Sequence, residues 1–256
     1  DLCLNLFWWG KFRRHKAAVK LHTMLDVKTS IPTVIFITSG AVHEVNLLDH
    51  FPIEEGSYYL LDKGYIEFEK LYRIHKSAAY FVMPAKDNFA FVRLNSRTVD
   101  KQSGAICDQT VRLKNQLVSL KYPPELRRVK YRDAETDTQL VFITNNFELR
   151  PDEIAALYRY RWKIELFFKW IKQHLKVKTF WDYSFNAVKT QIYIAMITYL
   201  LVAIIKHQLK LKQSQYEILQ ILSISLLCKI PLTELFSNTD QQYVKEPESK
   251  QLNIFN

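Results

Sequence analysis

The sequence predicts an α/β fold with a β-rich insertion and a helical C-terminal part. Up to residue 85, segments rich in β-branched residues alternate with helix-favouring ones. Residues 86–150 contain short apolar alternations broken by polar turns, and long helix-favouring segments follow. Because 48% of the 256 residues are hydrophobic and 14% are aromatic, the chain can bury a sizeable core.

The first 85 residues are predicted to contain four strands and two short helices. β-branched and aromatic runs predict the strands, at residues 17–26, 31–39, 57–61 and 79–83. The helices are predicted at residues 40–50 and 66–76. The first two strands would be joined by a short turn at residues 28–30, and would therefore form a pair.

After residue 85, a β-rich segment is followed by helices. Apolar alternations predict further strands at residues 89–94, 109–113, 127–131 and 140–144. Pro151 followed by two acids is a start signal for a long helix, because proline suits the first turn and acids suit the positive end of the helix dipole. Two more helices are predicted at residues 186–210 and 214–228, and the polar residues 237–256 are predicted to be disordered.

The net charge and the cysteine content indicate which binding partners and which cellular compartment to expect. The net charge of +10 favours a polyanionic partner, with nucleic acid as the first candidate and an anionic membrane surface as the second. Three widely separated cysteines form no disulfide framework, which indicates a reducing, cytoplasmic setting. The longest apolar run, residues 192–205, is shorter than the ~20 residues that span a bilayer, so a buried helix is predicted rather than a membrane span.

Four polar residues of the predicted long helix project to one side. At about 100° per residue, an arc of roughly 60° contains Tyr158, Arg161, Glu165 and Lys172. A carboxylate surrounded by cations and a phenol suits a metal ion beside a phosphate, because the acid can ligate the metal and the cations can bind phosphate oxygens. The alternative is a solvated basic helix in which Glu165 forms ordinary i,i+4 pairs, for example with Lys169 or Arg161.

A second acid, Asp62, directly follows the predicted strand 57–61 and precedes Gly64. The carboxyl end of a buried strand is a common ligand site, although an Asp that only starts a turn gives the same pattern. Together with Glu165, Asp62 would supply acids for two divalent metals roughly 3.5–4 Å apart, which activate the attacking group and stabilise the leaving oxygen of a phosphodiester.

These residues resemble a known family signature. The spacing Tyr158-x2-Arg161-x3-Glu165-x6-Lys172 is similar to the Y-R-E-K signature of DDE transposases from bacterial insertion sequences, in the branch (insertion-sequence-four type) that cuts and pastes DNA and carries a β-rich insert. The segment 62–65, Asp-Lys-Gly-Tyr, resembles the second-acid motif of that branch. The resemblance extends from about residue 1 to about residue 235.

The resemblance implies an RNase H-like core, a mixed sheet flanked by helices, with three acids (Asp, Asp and Glu) that bind two Mg²⁺ ions, for which Mn²⁺ can substitute. Asp62 would be the second acid and Glu165 the third. The phosphate near the transposon end would be held by Tyr158, Arg161 and Lys172. Trp162 would stack on a flipped base, with a packed Trp at the core or rim as the alternative.

The same resemblance implies a domain organisation. Residues 1–85 would form the first part of the core, residues 86–150 the insertion, and residues 151–236 the catalytic and C-terminal helices. The first catalytic Asp is expected on a strand upstream of residues 17–26, where almost no sequence precedes, so that acid and its strand are expected to be missing. Asp1 would lie just after that motif, and Asp26 would be a poor substitute. Little strand-transfer activity is expected of the chain alone.

The predicted function is therefore DNA transposition by metal-dependent phosphoryl transfer, with DNA as partner, a homodimer as the active complex and no membrane association. Two alternatives stay open: a two-metal nuclease on the same fold, and a non-catalytic DNA-binding remnant of a transposase. Metal-dependent cleavage would exclude the remnant, and strand joining would distinguish a transposase from a nuclease. His43 and Glu44 have no spacing typical of a metal site, so packed or surface positions are expected for them.

Overall fold

The computed structural model describes residues 2–4, 11–13, 16–175, 180–182, 184–225 and 227–237. The chain divides into two compact units, Asp1–Tyr193 and Ile194–Asn256. The domain boundaries proposed at residues 85, 150 and 236 stay predictions. Apart from Ser237, the tail predicted to be disordered lies outside the described residues.

The first unit begins with an antiparallel sheet built around a hairpin. Its strands are β1 (Leu2–Leu4), β2 (Lys11–Arg13), β3 (Lys16–Asp26) and β4 (Ile31–Ser39). Both short strands pair with the beginning of β3, and β4 pairs along its length. The β3–β4 hairpin confirms the predicted strand pair.

A six-stranded mixed sheet follows in the order β5-β6-β10-β9-β8-β7. Its strands are β5 (Tyr58–Leu60), β6 (Tyr80–Pro84), β7 (Phe91–Arg97), β8 (Ala105–Leu113), β9 (Leu126–Arg132) and β10 (Gln139–Thr144). The β5–β6 pair is parallel and the other neighbours are antiparallel. The segment 86–150 is β-rich as predicted, and its strands extend the sheet that contains β5 and β6.

The described helices are α1 (Phe68–Lys76), α2 (Gln116–Lys121), α3 (Pro151–Arg159), α4 (Trp162–His174), α5 (Phe185–Gln208), α6 (Gln215–Ser225) and α7 (Leu232–Ser237). The predicted helix at 40–50 is a 3-10 helix over Glu44–His50, and further 3-10 turns cover Lys63–Tyr65 and Lys101–Ser103. Sequence analysis did not predict α2 or α7. The Asn115 side chain caps α2 by accepting hydrogen bonds from two backbone N–H groups, which is a signal the sequence did contain.

Helices cover both faces of the six-stranded sheet in the first unit. On β6, Phe81 belongs to a buried cluster with Leu71 of α1, whereas the next residue, Val82, belongs to a cluster with Ile154 of α3. Because successive side chains of a strand point to opposite faces, α1 and α3 lie on opposite sides of the sheet. The carboxyl end of β5, which pairs in parallel with β6, is thus fixed between two hydrophobic layers.

The prediction of one long helix starting at Pro151 was wrong. The chain forms α3, a tight turn at Tyr160 and Arg161, and then α4. In this turn the N–H of Arg161 donates to the carbonyl of Tyr158 at 3.0 Å, and the N–H of Lys163 donates to that of Tyr160 at 3.0 Å. These i→i−3 bonds are the tighter 3-10 pattern, which advances about 120° per residue instead of about 100°. The residues stay helical in φ and ψ, so no Gly or Pro marks the change.

The second unit has its own small core, formed by Val202, Ile218 and Phe236. Among the described helices, α5 is long and apolar enough to cross a membrane by length and composition. The core helix of a soluble protein can have the same length and composition. In α5, 44% of the most apolar 18-residue stretch is buried.

Candidate functional site

Arg161 joins the two acids that the sequence singled out. Its Nη2 atom lies 2.7 Å from Oε1 of Glu165, and its Nη1 atom lies 3.8 Å from Oδ2 of Asp62. The two carboxylates come from positions 103 residues apart in the sequence and share one guanidinium group. The fold therefore brings Asp62, Arg161 and Glu165 together.

Asp62 lies two residues beyond the end of β5, where the chain leaves the six-stranded sheet. The N–H of Leu61 still donates to the carbonyl of Val82, at 3.0 Å, so the backbone remains fixed up to this point. Oδ1 of Asp62 accepts a hydrogen bond of 2.6 Å from the N–H of Lys63. The turn-forming role is thus real, yet Oδ2 faces Arg161 and the side chain is 61% exposed. Asp62 can start the turn and still offer an oxygen to a ligand.

Glu165 lies in the first turn of α4 and is half-exposed. Its contact with Arg161 is the i,i+4 pair of the alternative interpretation. The additional contact of Arg161 with Asp62 goes beyond that interpretation, because a solvated basic helix does not require an acid from a distant loop. The helix therefore presents Glu165 toward the carboxyl end of β5.

Tyr158 packs between the sheet and Arg161. Its ring centroid lies 5.1 Å from that of Phe142 on β10, and the Arg161 guanidinium carbon lies 5.7 Å from the Tyr158 ring centroid. Burial raises the pKa of Tyr158 above its ordinary value; Arg161 opposes this, and the Asp62 and Glu165 carboxylates add to it. The phenol is therefore protonated at neutral pH and can donate a hydrogen bond to an anionic oxygen.

The other two predicted site residues, Lys172 and Trp162, also lie on α4. Lys172 is half-buried on α4, seven positions after Glu165, which corresponds to about 10 Å along the helix axis. Trp162 is 57% exposed, so it is not a core residue. A further lysine, Lys169, is exposed on α4, whereas Lys176 and Lys178 lie outside the described residues.

A buried ion pair that sequence analysis missed holds the start of α3. Both guanidinium donors on one edge of Arg127 reach Asp108, at 2.8 and 2.9 Å, and its Nη1 donates to the carbonyls of Asn146 and Leu149. Arg127 is 2% exposed and Asp108 is 4% exposed. This network fixes the loop between β10 and α3, and so helps to place Tyr158.

Other acids proposed for the site are used elsewhere or lie outside the described residues. The carboxylate of Asp26 accepts from the N–H of Lys28 at 2.9 Å and from the hydroxyl of Thr29 at 2.6 Å. The Thr29 hydrogen bond is the main reason that the pKa of Asp26 is lowered. Asp26 is therefore a turn-forming residue, and Asp1 lies outside the described residues.

The donor chemistry of Asp62 and Glu165 fits a hard divalent cation. Mg²⁺ in proteins is commonly bound by one or two carboxylates, with waters and substrate phosphates completing its octahedral shell. Within the described residues, no group of three or more His, Cys, Asp or Glu side chains lies close enough together to hold a metal ion. The chemistry of the two carboxylates is thus compatible with a divalent-cation site that substrate completes, but not with a closed structural site.

Comparisons with known proteins identify the family of the chain. The family model described as "Transposase DDE domain" matches residues 7–201. A protein of Sinorhizobium fredii named "Putative transposase y4zB" is 32% identical over 247 residues, which cover 95% of this chain and 66% of that protein. A protein of Geobacillus stearothermophilus named "Probable transposase for insertion sequence element IS5377" is 29% identical over 80% of this chain and 54% of its own length. The chain therefore spans between half and two thirds of the length of these relatives.

Proposed function

This chain belongs to the DDE transposase family of insertion sequences, and from that premise we propose that it carries the phosphoryl-transfer centre of a cut-and-paste transposase in the Y-R-E-K branch. The observation that carries the proposal is the arrangement of Asp62 and Glu165 around Arg161. An acid at a strand end and an acid on a helix meet at one point, with a phenol and a guanidinium beside them.

In this proposal Asp62 and Glu165 are the second and third acids and would hold Mg²⁺, for which Mn²⁺ can substitute. The bound ions would activate the attacking hydroxyl and stabilise the leaving oxygen of the phosphodiester. Arg161 now lies between these carboxylates and would have to leave Glu165 when a cation binds there. Its guanidinium would then be free to bind a phosphate oxygen in a bidentate manner.

The remaining site residues would bind the DNA strand that is cut. Tyr158 would donate a hydrogen bond to a phosphate oxygen, supported by its protonated state. Lys172 would contact the phosphate backbone further along α4. The exposed ring of Trp162 would stack on an unpaired base at the transposon end. DNA, a homodimeric complex and a cytoplasmic location belong to the same proposal.

An RNase H-like core is also part of the proposal. It is supported by the parallel β5–β6 pair, by the β3–β4 hairpin, and by helices on both faces of the larger sheet. In that arrangement the carboxyl end of β5 carries the acid Asp62, which is where open α/β sheets commonly bind ligands.

The test is Mg²⁺-dependent cleavage of duplex DNA that carries the end of the insertion sequence encoding this chain. The protein expressed from the complete gene is compared with its Glu165→Gln variant and with Glu135→Gln, a control in an exposed turn. We expect cleavage and strand joining by the wild type and the control, and a loss of at least about a hundredfold in the Glu165 variant. Cleavage without joining would indicate a nuclease, and DNA binding without cleavage would indicate a non-catalytic remnant.

A further inference from the structure

The Glu44 side chain is held against the loop that carries Asp62. Glu44 begins the 3-10 helix after β4, in a different part of the sequence from Asp62. The ammonium group of Lys20, on β3, lies 3.6 Å from Oε1 of Glu44 and also donates to the carbonyl of Val42 at 3.1 Å. Since the Lys20 side chain is only 13% exposed, this contact fixes Glu44 from inside the hairpin sheet.

Gly64 allows the Glu44 carboxylate to approach this closely. A β-carbon added to Gly64 would lie 3.1 Å from Oε2 of Glu44, which is tighter than an ordinary van der Waals contact. Gly64 does not have a positive φ, so its backbone conformation does not require glycine. The missing side chain is therefore used for close packing between Glu44 and the turn at residues 62–65.

The same turn fixes the direction of the Asp62 carboxylate. The N–H of Lys63 donates to Oδ1 of Asp62, and the N–H of Tyr65 donates to the Asp62 carbonyl at 3.0 Å. Burial raises the pKa of Tyr65 to about 12, and the nearby carboxylates of Glu44 and Asp62 contribute to this shift. Glu44 and Asp62 thus both lie near one phenol, that of Tyr65, which directly follows Gly64 in the chain.

We propose that Glu44 is a positioning residue for Asp62: held by Lys20, its carboxylate packs on Gly64 and fixes the turn at residues 62–65, so that Asp62 faces Arg161 and Glu165. The proposal rests on the function proposed above for Asp62. It assigns Glu44 no contact with DNA or metal. Its consequence is a mechanical link from the hairpin sheet, through Lys20 and Glu44, to the acid at the end of β5.

The first experiment measures the turn without any reference to activity. Amide hydrogen exchange is compared for wild type, Glu44→Ala and Glu55→Ala, the last being an exposed glutamate in the loop before β5. In Glu44→Ala we expect exchange at residues 63–66 to rise by about tenfold while exchange in β6 and β10 stays unchanged. Unchanged exchange at residues 63–66 would overturn the proposal, and so would equal acceleration throughout the sheet.

A double-mutant cycle then tests the contact with Gly64. Gly64→Ala alone places a methyl group 3.1 Å from Oε2 of Glu44, so that the carboxylate must shift by a few tenths of an ångström and exchange of the turn should accelerate. Combined with Glu44→Ala, the added methyl group meets no carboxylate, so the double variant should be no worse than Glu44→Ala alone. Additive effects of the two substitutions would contradict direct packing between Glu44 and Gly64.

The catalytic consequence is measured as a split between kcat and KM for cleavage of the transposon end. Because misplacement by about 1 Å can cost up to about a hundredfold in rate, Glu44→Ala should lower kcat by about tenfold or more and leave KM for DNA nearly unchanged. Glu44→Gln, which keeps the size of the side chain, should restore most of kcat. Wild-type kcat in Glu44→Ala would overturn the proposal. If the wild type itself fails to cleave, the proposed function fails, and the exchange measurements still decide the role of Glu44 in holding the turn.

Discussion

The Nη2 atom of Arg161 lies 2.7 Å from Oε1 of Glu165, and this short ion pair occupies the place that the proposed chemistry requires for a cation. The same guanidinium reaches Asp62 at 3.8 Å. The contacts are partly shielded from solvent. Burial is the largest single influence on the pKa of Arg161 and lowers it, but the hydrogen bond donated to Glu165 and the nearby Tyr158, Glu165 and Asp62 together raise this pKa above its ordinary value. Arg161 therefore compensates part of the charge of the two carboxylates.

Removing Arg161 should strengthen metal binding and weaken DNA binding. In Arg161→Ala the two carboxylates lose their compensating charge, and since a partly exposed ion pair contributes up to about 1 kcal/mol, Mn²⁺ affinity should rise by up to about fivefold. The change in Mn²⁺ affinity can be measured by electron paramagnetic resonance, which detects the free ion. The control is Arg159→Ala, which removes the same charge from a residue paired with Asp133. Weaker Mn²⁺ binding in Arg161→Ala would show that Arg161 does not compete with the metal.

Trp162 should contribute to binding of unpaired DNA. Stacking of one base on an aromatic side chain contributes about 1–3 kcal/mol, so Trp162→Ala should lower affinity for a transposon end with an unpaired base by about fivefold or more. Affinity for the fully paired end should change much less. Trp181→Ala is the matched control, because Trp181 is also strongly exposed. Equal losses for paired and unpaired DNA, or equal effects of both substitutions, would argue against stacking on Trp162.

The buried pair of Arg127 and Asp108 should dominate local stability. Removing one partner of a buried ion pair typically costs about 3–5 kcal/mol, because the other charge remains uncompensated. Arg127→Ala should therefore lower the free energy of unfolding by up to about that amount in urea denaturation, since Nη1 of Arg97 lies 4.0 Å from Oδ2 of Asp108 and compensates part of its charge. Arg112→Ala is the control on the adjacent strand, since its pair with Glu125 is exposed and contributes no more than about 1 kcal/mol. Similar losses in the two variants would contradict the structural role of the buried pair.

Stability should fall on acidification partly because of His22. Burial lowers the pKa of His22 below 6.5, with Glu44 opposing and Lys20 adding to the shift. Its ring nitrogen Nε2 is 2.9 Å from Oγ1 of Thr38. Because the unfolded chain binds the proton more readily than the folded one, the stabilisation is complete above pH 6.5 and is lost as pH falls below it. His22→Asn should reduce this pH dependence, measured as the free energy of unfolding against pH. An unchanged slope would show that other groups cause it, such as His75, whose pKa is also lowered by burial.

Local sequence patterns predicted most elements of the fold but not how they meet. Two predicted strands correspond to β3 and β4, since β-branched segments occur at residues 17–26 and 31–39. The start signal at Pro151 corresponds to the beginning of α3. The break between α3 and α4 could not be predicted, because Tyr160 and Arg161 keep helical dihedral angles and differ only in their hydrogen-bond pattern.

Spacing within one helix indicated a site but could not select its contacts. Glu165, Arg161 and Tyr158 were placed on one side by helical periodicity, and this proximity is present in the fold. The contact between Arg161 and Asp62 depends on the packing of α3 against the sheet, which no local pattern encodes. The same holds for Glu44 and Gly64, whose proximity results from two separate loops meeting.

The most direct measurement is Mn²⁺ binding to the wild type, to Asp62→Asn, to Glu165→Gln and to the double variant. If the two carboxylates bind the same ion, each single substitution should weaken binding by about tenfold or more, and the double substitution should add much less than the product of the two effects. Independent effects that multiply, or single variants that bind Mn²⁺ as the wild type does, would contradict a shared metal site formed by Asp62 and Glu165.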